Sequence, residues 1–518
     1  MARLLVFVPG IQTKADSFKP LLARLQADPA WRQDTVVELW DHGTSIFGRK
    51  SLLDIARNLA LFLNARWANL ENPDDVILVG HSMGALLVRQ AYLIALGSSV
   101  NRMNPLPWAT HVSRLVLLAG INRGIQIHWW EKLLLPLLIS RHGTLRDIIV
   151  GSDFITNLRI WWLRKLQQIS SRPVVVQVLG ENDNRVQQGD SLDVERFDEG
   201  HQFLISKVTH KNVFLPEDNG AFRPQQYETL SLAILKPIPD QLSSEVSFDL
   251  AKKVYFLVHG IRDSNNDWVK ETKQLIKQRI PNAELIEPDI GRFSALQFLI
   301  PAQRRHYVRW FQDVYSRKLA QNPLASFNFV GHSYGTYLLG YGLRHLSGMT
   351  FDRVYLGGSV LPAEWVWDNH RAQVQEVRNA CGVHDVPVGV LCSALRGLRM
   401  KDIGTAGYTG FRLAFNDDSE VHYYRGGHGA SVSSAARADI LEFLCHGLQH
   451  KCGDLVVEDS GFTRISAGVR LASPLLIAAY LLLIIASFFY PPLHAARIWL
   501  LAALGAVLSL LVGVTAFV

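Results

Sequence analysis

Two pentapeptides, Gly80-His81-Ser82-Met83-Gly84 and Gly331-His332-Ser333-Tyr334-Gly335, share the spacing G-x-S-x-G. Each follows a short apolar run and precedes a helix-type sequence, ALLVRQAYLIAL in one case and TYLLGYGLRHL in the other. A serine hydroxyl is a weak nucleophile until a neighbouring base takes its proton. A sharp strand-to-helix turn, with small residues two before and two after the serine, lifts that hydroxyl above a sheet. The first N–H of the helix then faces the oxyanion of a tetrahedral intermediate. One such pentapeptide is a weak signal. Two, each between an apolar strand and a helix, point to attack on an ester or thioester carbonyl.

The elements that must position these serines also recur. Residues 4–10, LLVFVPG, have a counterpart in 254–260, VYFLVHG; 72 residues separate Gly10 from Ser82 and 73 separate Gly260 from Ser333. RLVLLAG (114–120) matches RVYLGGS (353–359), and PVVVQVLG (173–180) is paired with VPVGVLCS (386–393). Short β-branched runs alternating with helical stretches predict parallel strands joined by helices. The stretch KPIPDQLSSE (236–245) is the natural boundary. The expected fold class is α/β: two tandem domains, residues 1–240 and 241–470, and a tail, residues 471–518.

Nearly all of residues 1–450 resembles the α/β-hydrolase superfamily, and most closely its lipase and esterase branches. The resemblance rests on the two elbows, on the strand-ending Pro9-Gly10 and His259-Gly260, and on GENDNRV (180–186), GSDFITNL (151–158) and GGHGAS (426–431). It implies a Ser-His-Asp triad in the chain order serine, acid, histidine. In the first half Asp183, just past the strand ending at Gly180, is the expected acid, with Asp190 as alternative. His210, closing FLISKVTH, is the expected base, with His201 as rival. In the second half His428 lies on a Gly-flanked turn before ARADILEFL and is the base for Ser333. Its acid is less clear, because no G-x-x-D follows VPVGVLC. Asp402, 26 residues before His428, is the nearest analogue, with Asp417 and Asp418 as alternatives. The implied oxyanion donors are the N–H groups of Met83 and Ile11, and of Tyr334 and Ile261. Water then hydrolyses the acyl-enzyme, or an alcohol accepts the acyl group. No His/Asp/Glu cluster has metal-ligand spacing, and neither cofactor nor metal is expected.

The halves differ most in the insert at 121–172, the expected cap. It holds HWWEKLLLPLLI (128–139) and RIWWLRKL (159–166), with four of the 13 Trp and a net charge of +5. Aromatic residues beside Arg and Lys suit an anionic membrane surface; a buried helical pair is the alternative. The tail closes with two uncharged runs, 471–490 and 498–518, around a loop containing Pro491-Pro492 and Arg497. Each is long enough for a helix to cross about 30 Å of hydrocarbon, which predicts a two-helix transmembrane hairpin. Arg464 and Arg470 before the first run place the preceding body on the cytosolic side.

The formal net charge is +7, divided evenly as +3, +3 and +1 among 1–240, 241–470 and the tail. A nucleic-acid footprint is clustered, so no nucleic-acid partner is expected. Four cysteines exclude a disulfide scaffold. The expected function is a membrane-anchored serine hydrolase acting on lipid or other acyl esters, with membrane lipids as partners. The alternatives are a membrane-tethered scaffold with one or both domains inactive, or an acyltransferase.

Overall fold

In a computed structural model the described residues are 2–97, 104–126, 141–186, 200–217, 220–238, 252–261, 267–287, 295–412, 419–449 and 460–489, with 496 and 499–501. They divide into two units. One comprises Met1–Phe248 with Gln312–Pro323 and Leu346–Gly348; the other holds the remainder. The expected boundary stretch falls largely within residues 239–251, outside the described set.

The first unit is built on six strands: β1 (Arg3–Val8), β2 (Thr35–Leu39), β3 (Asp75–His81), β4 (Val112–Leu118), β5 (Val174–Gly180) and β6 (Gly200–Ile205). All pair in parallel, in the order β2-β1-β3-β4-β5-β6. Helices cover both faces of such a sheet, so its inner strands read as near-continuous apolar runs. Leu4 to Val8 on β1 and Leu115 to Leu118 on β4 are fully buried. The core below the sheet gathers Phe7, Phe18, Val79, Val178 and Phe214.

Within the insert, helices Gly143–Ile148 and Asp153–Gln168 are described, and 128–139 lies outside the described residues. The Ser152 hydroxyl caps the second helix by accepting the N–H of Ile155. Ile160, Trp162, Leu163 and Leu166 are at most 1% exposed. The membrane-facing expectation for 159–166 is therefore corrected, because its apolar stripe is spent on the core. Trp162 meets Tyr92 of helix Met83–Ala95 edge-on at 6.4 Å, and the buried Arg89 guanidinium lies 4.4 Å from its indole ring.

The second unit repeats the strand order with β7 (Lys253–Val258), β8 (Glu284–Ile286), β9 (Ser326–His332), β10 (Phe351–Gly357), β11 (Val374–Gly382) and β12 (Ser419–Tyr424). The sheet runs β12-β11-β10-β9-β7-β8, again parallel. One strand assignment is corrected. The apolar run 386–393 is not a strand; Pro387–Cys392 forms a π-helical segment that continues into helix Ser393–Gly397. The fifth strand is instead Val374–Gly382, whose Gln375, Glu376, Arg378 and Asn379 conceal it. Arg378 is fully buried there and donates to Asp439 at 2.6 Å and Glu420 at 2.8 Å. A short apolar run alone does not distinguish helix from strand.

Helix Ser460–Phe489 begins before the expected first span and contains Pro474. Its early part packs on the second unit through Ser466–Ser393 and Ser473–Ala394 hydrogen bonds. From Leu471 onwards another face is open: Leu471, Leu475, Leu476 and Leu482 are 65–75% exposed. Among the described residues this is the one helix long and apolar enough to cross a membrane. The expected second span, 498–518, lies almost wholly outside them.

Candidate active site

Ser82 follows β3 directly and caps helix Met83–Ala95 with φ 51° and ψ −114°. A non-glycine residue in this region carries about 1–3 kcal/mol of strain, so surrounding packing must hold it. That packing is tight. A Cβ on Gly84 would fall 2.2 Å from the Val8 carbonyl oxygen, and one on Gly80 would fall 2.5 Å from the Gly84 backbone. Only glycines let β1, β3 and the helix start approach this closely.

Three residues the sequence singled out come together here. His210 Nε2 lies 2.9 Å from Ser82 Oγ, and His210 Nδ1 lies 2.8 Å from Asp183 Oδ2. Asp183 sits just past β5, and its side chain is fully buried. Its Oδ1 accepts the N–H groups of Arg185 at 2.8 Å and Val186 at 3.0 Å. Burial raises the Asp183 carboxyl, but the His210 hydrogen bond and charge, with those two N–H groups, outweigh it and hold the group below its ordinary value. An ionised carboxylate only accepts, so Nδ1 carries the imidazole hydrogen and Nε2 is left to accept from Ser82. His201 is on β6, paired in register with Val176, and the hydrogen bond to Asp183 is made by His210 instead. Asp190 lies outside the described residues.

The loop after β1 passes over the serine: a Cβ on Gly10 would be 2.9 Å from Ser82 Cβ. Among the described residues the N–H groups of Ile11 and Met83 have no protein acceptor. Two further histidines, which sequence reasoning missed, brace this arrangement. His42 Nε2 donates to the Gly10 carbonyl at 3.1 Å while its Nδ1 accepts the Thr44 N–H. His81 is 2% exposed and its Nε2 donates to the His210 carbonyl at 3.0 Å. Burial pushes the His81 ring down to about 4 against the opposing pull of that hydrogen bond. It is therefore neutral at physiological pH. The second elbow carries the same feature, with His332 Nε2 3.1 Å from the His428 carbonyl. The recurrence of histidine before both serines was the available signal.

The second unit departs from expectation at its acid. His428 Nδ1 lies 2.8 Å from Asp385 Oδ2, a fully buried carboxylate that also accepts the Val388 N–H. Asp402 is not brought to His428; it accepts from Arg304 at 3.0 Å and Tyr337 at 2.8 Å. The misplaced strand caused the error. With β11 ending at Gly382, Gly382-Val383-His384-Asp385 reproduces the spacing Gly180-Glu181-Asn182-Asp183. Asp417 and Asp418 lie outside the described residues. Ser333 adopts the same strained backbone, φ 53°, and Tyr334 opens the following helix, while Ile261 follows Gly260 in the loop after β7. Ser333 is only 6% exposed, and among the described residues its hydroxyl makes no hydrogen bond to His428.

A serine on a strained turn between the third strand of a parallel sheet and its helix, in this strand order, defines an α/β-hydrolase fold. Residues 5–222 match the alpha/beta hydrolase family. Similar solved structures include the peroxisomal alpha-beta-hydrolase Lpx1 from Saccharomyces cerevisiae, at 13% identity and a TM-score of 0.31, covering 54% of this chain and 86% of that one. Phospholipase PlaB from Legionella pneumophila is 20% identical with a TM-score of 0.25, covering 34% and 38%. Lipase B from Aspergillus fumigatus is 15% identical with a TM-score of 0.30, covering 46% and 64%. At these identities the likeness is one of fold alone. No curated protein matches the chain. Among the described residues no group of three or more His, Cys, Asp or Glu could hold a metal ion.

Proposed function

We propose that the first unit is a serine hydrolase cleaving carboxylic esters or thioesters, tethered to a membrane by the C-terminal tail. The observation that carries this reading is the continuous hydrogen-bonded line Ser82–His210–Asp183, at 2.9 and 2.8 Å. His210 Nε2 takes the proton as Ser82 Oγ bonds to the carbonyl carbon, and Asp183 holds the imidazolium. The oxyanion lies against the Ile11 and Met83 N–H groups. Collapse breaks the bond to the leaving oxygen or sulfur, which receives the proton from His210. Water, deprotonated by the same nitrogen, attacks the acyl carbon; Ser82 departs with that proton and the free acid is released.

The two elbows and the common strand order support a duplicated hydrolase in which the halves divide the work. The buried Ser333, unlinked to His428, favours a second unit without turnover. The exposed apolar face of helix Ser460–Phe489 supports the tether, and the Tyr480 hydroxyl donates to the Leu500 carbonyl, which favours a hairpin. A fluorophosphonate probe and an ester assay on Ser82→Ala, Ser333→Ala and the double variant test the assignment. Labelling and hydrolysis should vanish with Ser82→Ala and persist in Ser333→Ala. Undiminished labelling in the double variant would overturn it.

A further inference from the structure

A cavity of about 520 Å³ opens at Ser82, a size within the usual range for small-molecule sites. Its walls differ in chemistry. Ile11, Ile46, Ile121, Ile125 and Ile148 come from the loops after β1, β2 and β4 and from the insert. Asn182, Asn184, Arg185 and Lys211 come from the segments after β5 and β6, at the far end of the strand order from β1 and β2. Five isoleucines offer an apolar wall; two amides and two cations offer a polar one.

Among the described residues the charge at the polar wall is unbalanced. No Asp or Glu is among the described lining residues, and the Asp183 side chain behind them is fully buried and committed to His210. Arg185 and Lys211 are exposed, and among the described residues neither has an ion-pair partner. A single surface lysine or arginine is ordinarily just solvated. These two line the same cavity, one two residues after the triad acid and the other directly after the triad base.

The direction of the reaction decides which part of a substrate meets them. On the reading proposed above, His210 returns its proton to the leaving group, so the leaving group departs on the His210 side, where Lys211 follows. The acyl chain is left to the isoleucine wall. We infer that the pocket takes an acyl ester whose leaving group carries a phosphate, with Arg185 and Lys211 pairing to it. Arg and phosphate match as a fork and a multidentate acceptor, and lysine adds a point charge.

This inference rests on Ser82 being the nucleophile, and the experiment separates the two. Purified full chain in neutral detergent micelles is assayed on a 1-acylglycerol 3-phosphate and on the 1-acylglycerol with the same chain. The kcat/KM ratio of charged to neutral ester should exceed unity by about tenfold, as expected for two partly solvated charge pairs. It should fall towards unity in Arg185→Ala/Lys211→Ala, invert in Arg185→Glu/Lys211→Glu, survive in Arg185→Lys/Lys211→Arg, and shrink as salt is raised. A ratio near unity in the wild type, or one unchanged in the charge-reversed variant, overturns the phosphate assignment while Ser82-dependent cleavage of the neutral ester leaves the hydrolase reading standing. Cleavage of neither ester, with no probe labelling of Ser82, overturns both.

Discussion

At the scale of single residues, the mechanism proposed above gives Asp183 two tasks: it fixes the hydrogen on His210 Nδ1, with which it is hydrogen-bonded, and it stabilises the imidazolium. Asp183→Asn can still occupy the site, but its amide N–H₂ donates where Nδ1–H must be accepted, or its oxygen accepts without the charge. kcat on an ester substrate should fall by about 10⁴-fold with little change in KM. A loss below tenfold in steady-state assays would remove Asp183 from the role. Asp183 follows the apolar strand Val174–Gly180 and was legible for that reason, whereas β6 is the half-polar GHQFLI and ends five residues before His210, which left His201 as its rival in the sequence. Asp385 was hidden because the strand before it is interrupted by Glu376, Arg378 and Asn379, which find hydrogen-bond partners remote in sequence. Arg378 finds Asp439, 61 positions away. No local pattern announces a charge that is paired that far off. His42 escaped for a similar reason, since its bond to the Gly10 carbonyl spans 32 positions.

At the scale of elements, apolar composition proved informative where a segment has one face and ambiguous where it is short. Helix Asp153–Gln168 carries tryptophans and basic residues that read as membrane-seeking, yet its stripe at Ile160, Leu163 and Trp162 is buried. The run at 386–393 is apolar enough for a strand, but Val386 is 54% exposed and the segment winds into a helix. Helix Ser460–Phe489 differs from both, because its leucines from 471 onwards find no core. Burial of apolar area contributes about 25 cal/mol per Å², so a stretch of this length left in water is strongly unfavourable. The full chain should therefore sediment with membranes and resist extraction by alkaline carbonate, whereas a chain ending at residue 459 should not. Recovery of the full chain in the soluble fraction would remove the tether.

At the scale of the whole molecule, each unit is stabilised by a buried carboxylate. In the first, Asp28 accepts from Ala30, Tyr227 and Ser231. In the second, Asp439 accepts from Arg378, His422 and Tyr424. Burial raises both carboxyls, and the bonds and cations around them more than reverse it, so each is held below the ordinary value of 3.8. A lowered folded-state value means that the unfolded chain takes up the proton first as acid is added. The stabilisation is therefore complete above about pH 4 and is lost as pH falls through the folded-state values. Asp147, whose carboxyl burial raises, acts in the opposite sense. Urea midpoints should stay level from neutral pH down to about 5 and drop steeply below 4, with a shallower drop in Asp439→Asn. An equal drop in that variant would remove Asp439 as a contributor.

The positions of the three residues in the first site also have a consequence in time. Ser82, on the turn after β3, is separated from His210 by 128 positions, and β5 and β6 must both be added beyond β4 before the imidazole arrives. At the ribosome's pace of about 5–20 residues per second, roughly 6–25 s pass between the two codons. Throughout that interval the nascent chain displays an ordinary alcohol. On the mechanism proposed above, its reactivity is switched on by the docking of the last edge strand, so a chain arrested before residue 210 should be chemically silent however well its elbow has formed.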